Sequence, residues 1–144
     1  LKIKNISWNI ALMQNSKALQ NALLTIHISL AVLWFYQGLI PKIIYKVIEE
    51  QQFWQFTGIQ LLPIPRLIEL SGFGEIIFGG LFLIFRQSKL LHFLNIIAML
   101  LFLLVVAIVY PHYFAQGFNP FIMNTAMAAL SIVAIQLLNA QKAE

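Results

Sequence analysis

Glu75 stands in the middle of an apolar stretch, and Glu69, Gln37, His27 and Asn124 are set into the same or similar stretches, which resist polar groups. A carboxylate at the centre of a membrane-spanning helix costs roughly 2.5–3.5 kcal/mol on insertion scales, so it faces a partner, a cavity or a proton path. Glu75 is therefore the candidate catalytic residue, because a carboxyl taken out of water can exchange protons near neutral pH. Its plainer account is a neutral carboxyl bonded to another helix. Trp34, Gln37 and Asn124 are candidate hydrogen-bond donors to a small molecule, since such sites need a few convergent polar groups in an aromatic, apolar pocket. Bonding between helices is their plainer account. Glu69, nearer the headgroups, is a ligand contact or an ion-pair partner of Arg66 or Lys42. Lys42 and Asn119 complete the candidate ligand contacts, and Lys42 can reach toward Glu69 or, less easily, Glu75. His27 and His92 are considered as axial ligands of a haem and disfavoured, because their depths counted along the helices differ and His92 lies near a helix end. No metal-spaced cluster, phosphate-binding loop or Ser-His-Asp order is present.

These residues are positioned by four apolar stretches, near 21–40, 66–85, 90–110 and 120–138, each long enough to span a bilayer. The first stops at Pro41-Lys42 and the third at Pro111, while Asn119-Pro120 supplies a cap and a first-turn proline for the fourth. The short Arg86-Gln87-Ser88-Lys89 link makes the second and third helices antiparallel neighbours. The fold class is an all-α, four-helix up-down membrane bundle in one domain covering residues 1–144. Residues 1–20, with Ile3, Ile6, Ile10 and Met13 at helical spacing and Trp8 as anchor, are expected to form an amphipathic helix on the surface. Residues 42–65 carry Tyr45, Phe53, Trp54 and Phe56 and are expected to rest at headgroup level as a short helix broken at Gly58.

At about 100° per residue, Glu69, Gly72, Glu75, Gly79 and Gly80 share an arc of about 140° on the second helix. Glycines admit a close neighbour, so this face packs inward. On the first helix His27, Trp34 and Pro41 recur every seven residues, flanked by Gln37 and Gly38. Counted at about 1.5 Å per residue, Gln37, Glu69, Asn119 and Asn124 fall in the outer half of the membrane and Glu75 near its middle.

Composition agrees: the chain is 60% hydrophobic and 10% charged, with a mean hydropathy of +0.83. It has no cysteine, which excludes dithiol chemistry, thiolate metal sites and iron–sulfur clusters. The net charge of +4 is spread over helix ends and forms no stripe for nucleic acid. Six basic residues (Lys2, Lys4, Lys17, Arg86, Lys89, Lys142) against three (Lys42, Lys46, Arg66) place both termini in the cytoplasm.

The segments Trp34-Phe35-Tyr36-Gln37-Gly38-Leu39-Ile40-Pro41-Lys42, Gly72-Phe73-Gly74-Glu75-Ile76-Ile77-Phe78-Gly79 and Phe118-Asn119-Pro120-Phe121 with Asn124, in this order and spacing, resemble the DoxX-like family of small bacterial membrane proteins. The resemblance covers nearly the whole chain. It implies a four-helix architecture in the bacterial cytoplasmic membrane and a link to membrane redox chemistry, since relatives are associated with thiosulfate:quinone oxidoreductase and other oxidoreductase assemblies. The expectation is a quinone-binding or accessory subunit, with Glu75 handling protons, Gln37, Trp34 and Asn124 orienting the headgroup, and electrons arriving from a partner. Two alternatives stay open: a non-catalytic anchor of a larger complex, and a small proton-coupled metabolite carrier. The partners expected are the lipid bilayer and a protein in a membrane complex, or further copies of the chain.

Overall fold

In hydrocarbon a backbone must satisfy its own N–H and C=O groups, so apolar runs of this length become helices. The computed structural model describes residues 2–117 and 119–143, with side chains for 13–117 and 119–142. Its elements are α1 (Lys2–Gly38), a π-helical turn (Leu39–Ile44), α2 (Ile48–Thr57), α3 (Ile64–Ile84), α4 (Lys89–Val109), a 3-10 turn (Pro111–Ala115) and α5 (Pro120–Ala143). Among the described residues there is no strand. Four helices are long and apolar enough to cross a membrane. The chain is a small multi-pass membrane protein, and residues such as Leu90, Phe93, Ile97, Leu100 and Leu104 on α4 are exposed toward lipid.

Two boundaries differ from expectation. No break separates a surface helix from the first span; α1 is continuous over 37 residues, about 55 Å against a hydrocarbon core of about 30 Å. The amphipathic pattern of Ile3, Ile6, Ile10 and Trp8 lies outside the residues whose side chains are described. Pro41, expected to stop the helix, is instead carried through it. Its missing N–H and its ring are absorbed by widening to i→i+5 bonds, such as Tyr45 N to Ile40 O at 3.1 Å. The wider turn brings Lys42 to a buried position facing α3.

Close packing follows the glycines rather than the short α3–α4 link. The tightest backbone pairs are α1 with α3 and α4 with α5. A Cβ on Gly38 would lie 2.5 Å from Gly72 O, and one on Gly79 would lie 2.9 Å from Trp34 Cβ. Gly72 and Gly79 are buried, whereas a Cβ on Gly80 would meet nothing within 4 Å, so Gly80 does not belong to the contact. Phe82 meets α4 at His92 across 5.4 Å between ring centroids, and ring-sized side chains of this kind keep these two backbones apart.

Candidate functional site

Polar side chains gather at two levels inside the bundle. The lower one is a hydrogen-bond chain that sequence reasoning did not assemble. Trp34 Nε1 donates to Asn95 Oδ1 at 2.9 Å, and Asn95 Nδ2 donates to Ser131 Oγ at 2.9 Å and to Met127 O at 3.1 Å. His92 Nδ1 lies 3.2 Å from Ser131 Oγ, the two imidazole Nε2 atoms are 3.3 Å apart, and His27 Nδ1 is 2.6 Å from Leu23 O. A carbonyl only accepts, so His27 Nδ1 carries a proton and its Nε2, in the neutral ring, accepts from His92 Nε2–H. His92 Nδ1 then accepts from the Ser131 hydroxyl. Every bond is satisfied in one direction, from the Trp34 indole to the Leu23 carbonyl.

This chain corrects three expectations. The N–H of Trp34 is bonded to Asn95 rather than free for a ligand. His92 is fully buried rather than interfacial. His27 and His92 lie at one level, because α1 does not begin at a membrane boundary and its stagger is set by packing on α3. Their direct bond occupies the space between the rings. His112, the third histidine, is exposed and takes no part in the chain. Asn95→Leu would strand the Trp34 N–H and a hydrogen-bonding position of Ser131. The expected loss is about 1–3 kcal/mol, well above the ~0.6 kcal/mol average for interhelical bonds in membranes. Thermal unfolding in detergent tests this, and an unchanged midpoint would show the chain to be energetically idle.

One helical turn toward the α2 end lies the second level. Gln37 follows Trp34 by three residues, Glu75 precedes Gly79 by four, and Asn124 precedes Met127 by three. Because Gly79 abuts Trp34 while Trp34, Asn95 and Met127 are bonded in series, these three residues share a layer. Glu75 and Asn124 are 6% and 1% exposed. Lys42 Nζ binds Glu75 Oε1 at 2.5 Å and lies 3.7 Å from Glu50 Oε1 on α2. Glu75 Oε2, Gln37 Oε1 and Asn124 Oδ1 are buried without a hydrogen-bond partner among the described residues.

Glu69 sits nearer that end and is held by Lys46 at 2.5 Å and Arg66 at 2.9 Å. The sequence had offered Lys42 to Glu69 first; the π turn instead sends Lys42 to Glu75 and Lys46 to Glu69. Asn119 belongs to neither level. Its Nδ2 donates to Gln116 O at 2.9 Å and its Oδ1 accepts from Ile122 N at 3.3 Å, which makes it the expected cap of α5.

The α2 helix packs on α3 and α4, and is bounded by left-handed residues, Lys46 at φ 45° and Gly58 at φ 69°. The expected short helix and Gly58 break are both present. Its Gln52 accepts from the Tyr110 hydroxyl at 3.2 Å, and Phe56 stacks on Tyr110. Burial, with the charges of Glu50 and Glu49 and the neighbouring Tyr110, pushes the Tyr113 phenol up to about 12, so it stays neutral. Trp54 Nε1, a buried donor without a partner among the described residues, belongs to a residue lining a surface groove of about 550 Å³ between α2 and α3, beside Gln55, Gln60 and Pro63. That groove is open and lies at the α2–α3 connection rather than at Glu75. Among the described residues no three His, Cys, Asp or Glu side chains converge as metal ligands.

The comparison with known families bears on the same segment. The model of the DoxX-like family matches residues 31–132. The chain belongs to the DoxX-like family. The matched segment of this DoxX-like protein contains the whole polar layer, together with Trp34, His92, Asn95 and Ser131, and leaves His27 outside it. No curated protein and no solved structure gives a significant match to the chain.

Proposed function

We propose that this DoxX-like protein binds the headgroup of a quinone-type lipid in the polar layer and serves as an accessory subunit of a membrane oxidoreductase. The observation that carries this reading is the set of three buried oxygens, without partners among the described residues, that three helices contribute at the level of the Lys42–Glu75 pair. Stability is a weak reason to keep such atoms, because an unpaired buried polar group costs about 1–3 kcal/mol. Gln37 and Asn124 suit a headgroup that changes its hydrogen-bonding character, since an amide presents a carbonyl in one orientation and an N–H in the other. Glu75 and Lys42 form a charged pair that can take up or return a proton at one carboxylate oxygen. A bound quinone supplies two-electron, two-proton chemistry; with no cysteine in the chain for an iron–sulfur cluster, electrons are assigned to a partner. The DoxX-like resemblance favours the bacterial cytoplasmic membrane as the setting, and the basic-residue asymmetry favours both termini inside.

The test is tryptophan fluorescence of the full chain in nanodiscs titrated with a short-chain benzoquinone. Saturable quenching is expected, weakened at least tenfold in Asn124→Leu and in Gln37→Leu. Quenching that rises linearly and identically in all three proteins would mean collision in the lipid, and the polar layer would then be helix packing in an anchor subunit.

A further inference from the structure

The polar layer is unbalanced in its hydrogen bonding. Its three fully buried atoms without partners among the described residues are all acceptors as placed, namely Glu75 Oε2, Gln37 Oε1 and Asn124 Oδ1. The cation at this level, Lys42, holds Glu75 Oε1 at 2.5 Å, with Glu50 next nearest at 3.7 Å. The amides of Gln37 and Asn124 can turn over and offer an N–H. Glu75 Oε2 has no such choice, because an ion-paired carboxylate accepts only.

The two redox forms of a quinone-type headgroup therefore meet different surroundings. A dicarbonyl headgroup brings only acceptors and leaves Glu75 Oε2 buried against further lone pairs, which is the costly arrangement for a polar group out of water. A dihydroxy headgroup brings the missing donor, and a hydrogen bond from hydroxyl to carboxylate is among the stronger kinds. Its second hydroxyl has two amide carbonyls, those of Gln37 and Asn124, to choose from on facing helices. The orphaned donor, Trp54 Nε1, does not redress the balance, since Trp54 belongs to α2 and lines the surface groove.

We infer that the site selects the reduced, dihydroxy-aromatic form of the headgroup over the oxidised dicarbonyl form, through a hydroxyl donated to Glu75 Oε2. The inference rests on the headgroup reading above and adds to it the redox form that is held. It makes Glu75 a specificity-determining contact in addition to a proton-exchanging one.

The experiment compares a short-chain benzoquinone with its hydroquinone, each titrated separately and anaerobically into nanodiscs carrying the full chain, with corrections for lipid partitioning. The hydroquinone is expected to bind at least tenfold more tightly. That ratio equals a rise of about 30 mV in the midpoint potential of the bound two-electron couple. A Lys42→Met/Glu75→Gln protein replaces the ion pair with an apolar chain and an amide that can donate, so the preference should shrink or reverse. Equal affinities, a tighter quinone, or a ratio unchanged in the double variant would overturn the inference while leaving headgroup binding in place. If neither form binds saturably, both fall together.

Discussion

Glu75→Leu is expected to destabilise the protein by about 3–5 kcal/mol, and a Lys42→Met/Glu75→Leu double replacement to recover most of that loss. Removing one partner of a buried ion pair strands the other charge, whereas replacing both with apolar groups of similar volume is often neutral or better. The surroundings make the two single losses unequal. Lys42 has a second carboxylate at 3.7 Å, on Glu50, while among the described residues the only cation bonded to Glu75 is Lys42. Lys42→Met should therefore cost more than Glu75→Leu. Unfolding free energies in mixed micelles, measured for both singles and the double, decide the matter through the coupling term of the cycle. A coupling near zero would show that the two charges do not depend on one another.

Gly38→Ala is the second large expectation. Its Cβ would stand 2.5 Å from the carbonyl oxygen of Gly72, a backbone atom that no rotamer change can move aside. The reciprocal change, Gly72→Ala, meets Gly38 O at 2.6 Å. Each should cost about 1–3 kcal/mol by forcing the helices apart, and the double should cost less than the sum because one separation relieves both clashes. Gly74→Ala supplies the contrast, since a Cβ there meets nothing within 4 Å and gains up to about 1 kcal/mol of helix propensity. Equal melting temperatures for Gly38→Ala and Gly74→Ala would show that α1 and α3 do not approach this closely. Because Gly38 also abuts Glu75 and Gln37 precedes it, loosening this contact should weaken headgroup binding too.

Much of this arrangement was legible in the sequence because length and polarity leave few choices in a bilayer. The four spans follow from runs that no soluble core would need, and the inward face of α3 follows from Gly72, Glu75 and Gly79 at helical spacing. The partners of the charges were less accessible. Lys42 was assigned first to Glu69, on the assumption that Pro41 ends the helix. A π turn changes the angular position of everything after it, and nothing in Leu39–Ile44 announces that the backbone will widen rather than stop. The lower hydrogen-bond chain was missed for another reason. His92 was weighed only beside His27, and Asn95 and Ser131 were given no role, yet His92, Asn95 and Met99 follow three- and four-residue steps, as do Asn124, Met127 and Ser131. Two such stripes on adjacent helices were the available signal. Depths counted from the ends of apolar runs then misplaced His27, since α1 extends well past its own run.

The one-way chain from Trp34 to Leu23 also bears on leakage. The proton exchange proposed at Glu75 must not short-circuit the gradient across the bilayer. Indole and amide N–H groups at one end of the chain do not hand protons on, and the carbonyl at the other has none to hand on. The two histidines between them, though only 3.3 Å apart, sit in a circuit closed at both terminals. The lower level thus offers the polar layer no proton path toward the far end of the bundle, and the exchange proposed for Glu75 is left to the end where α2 lies.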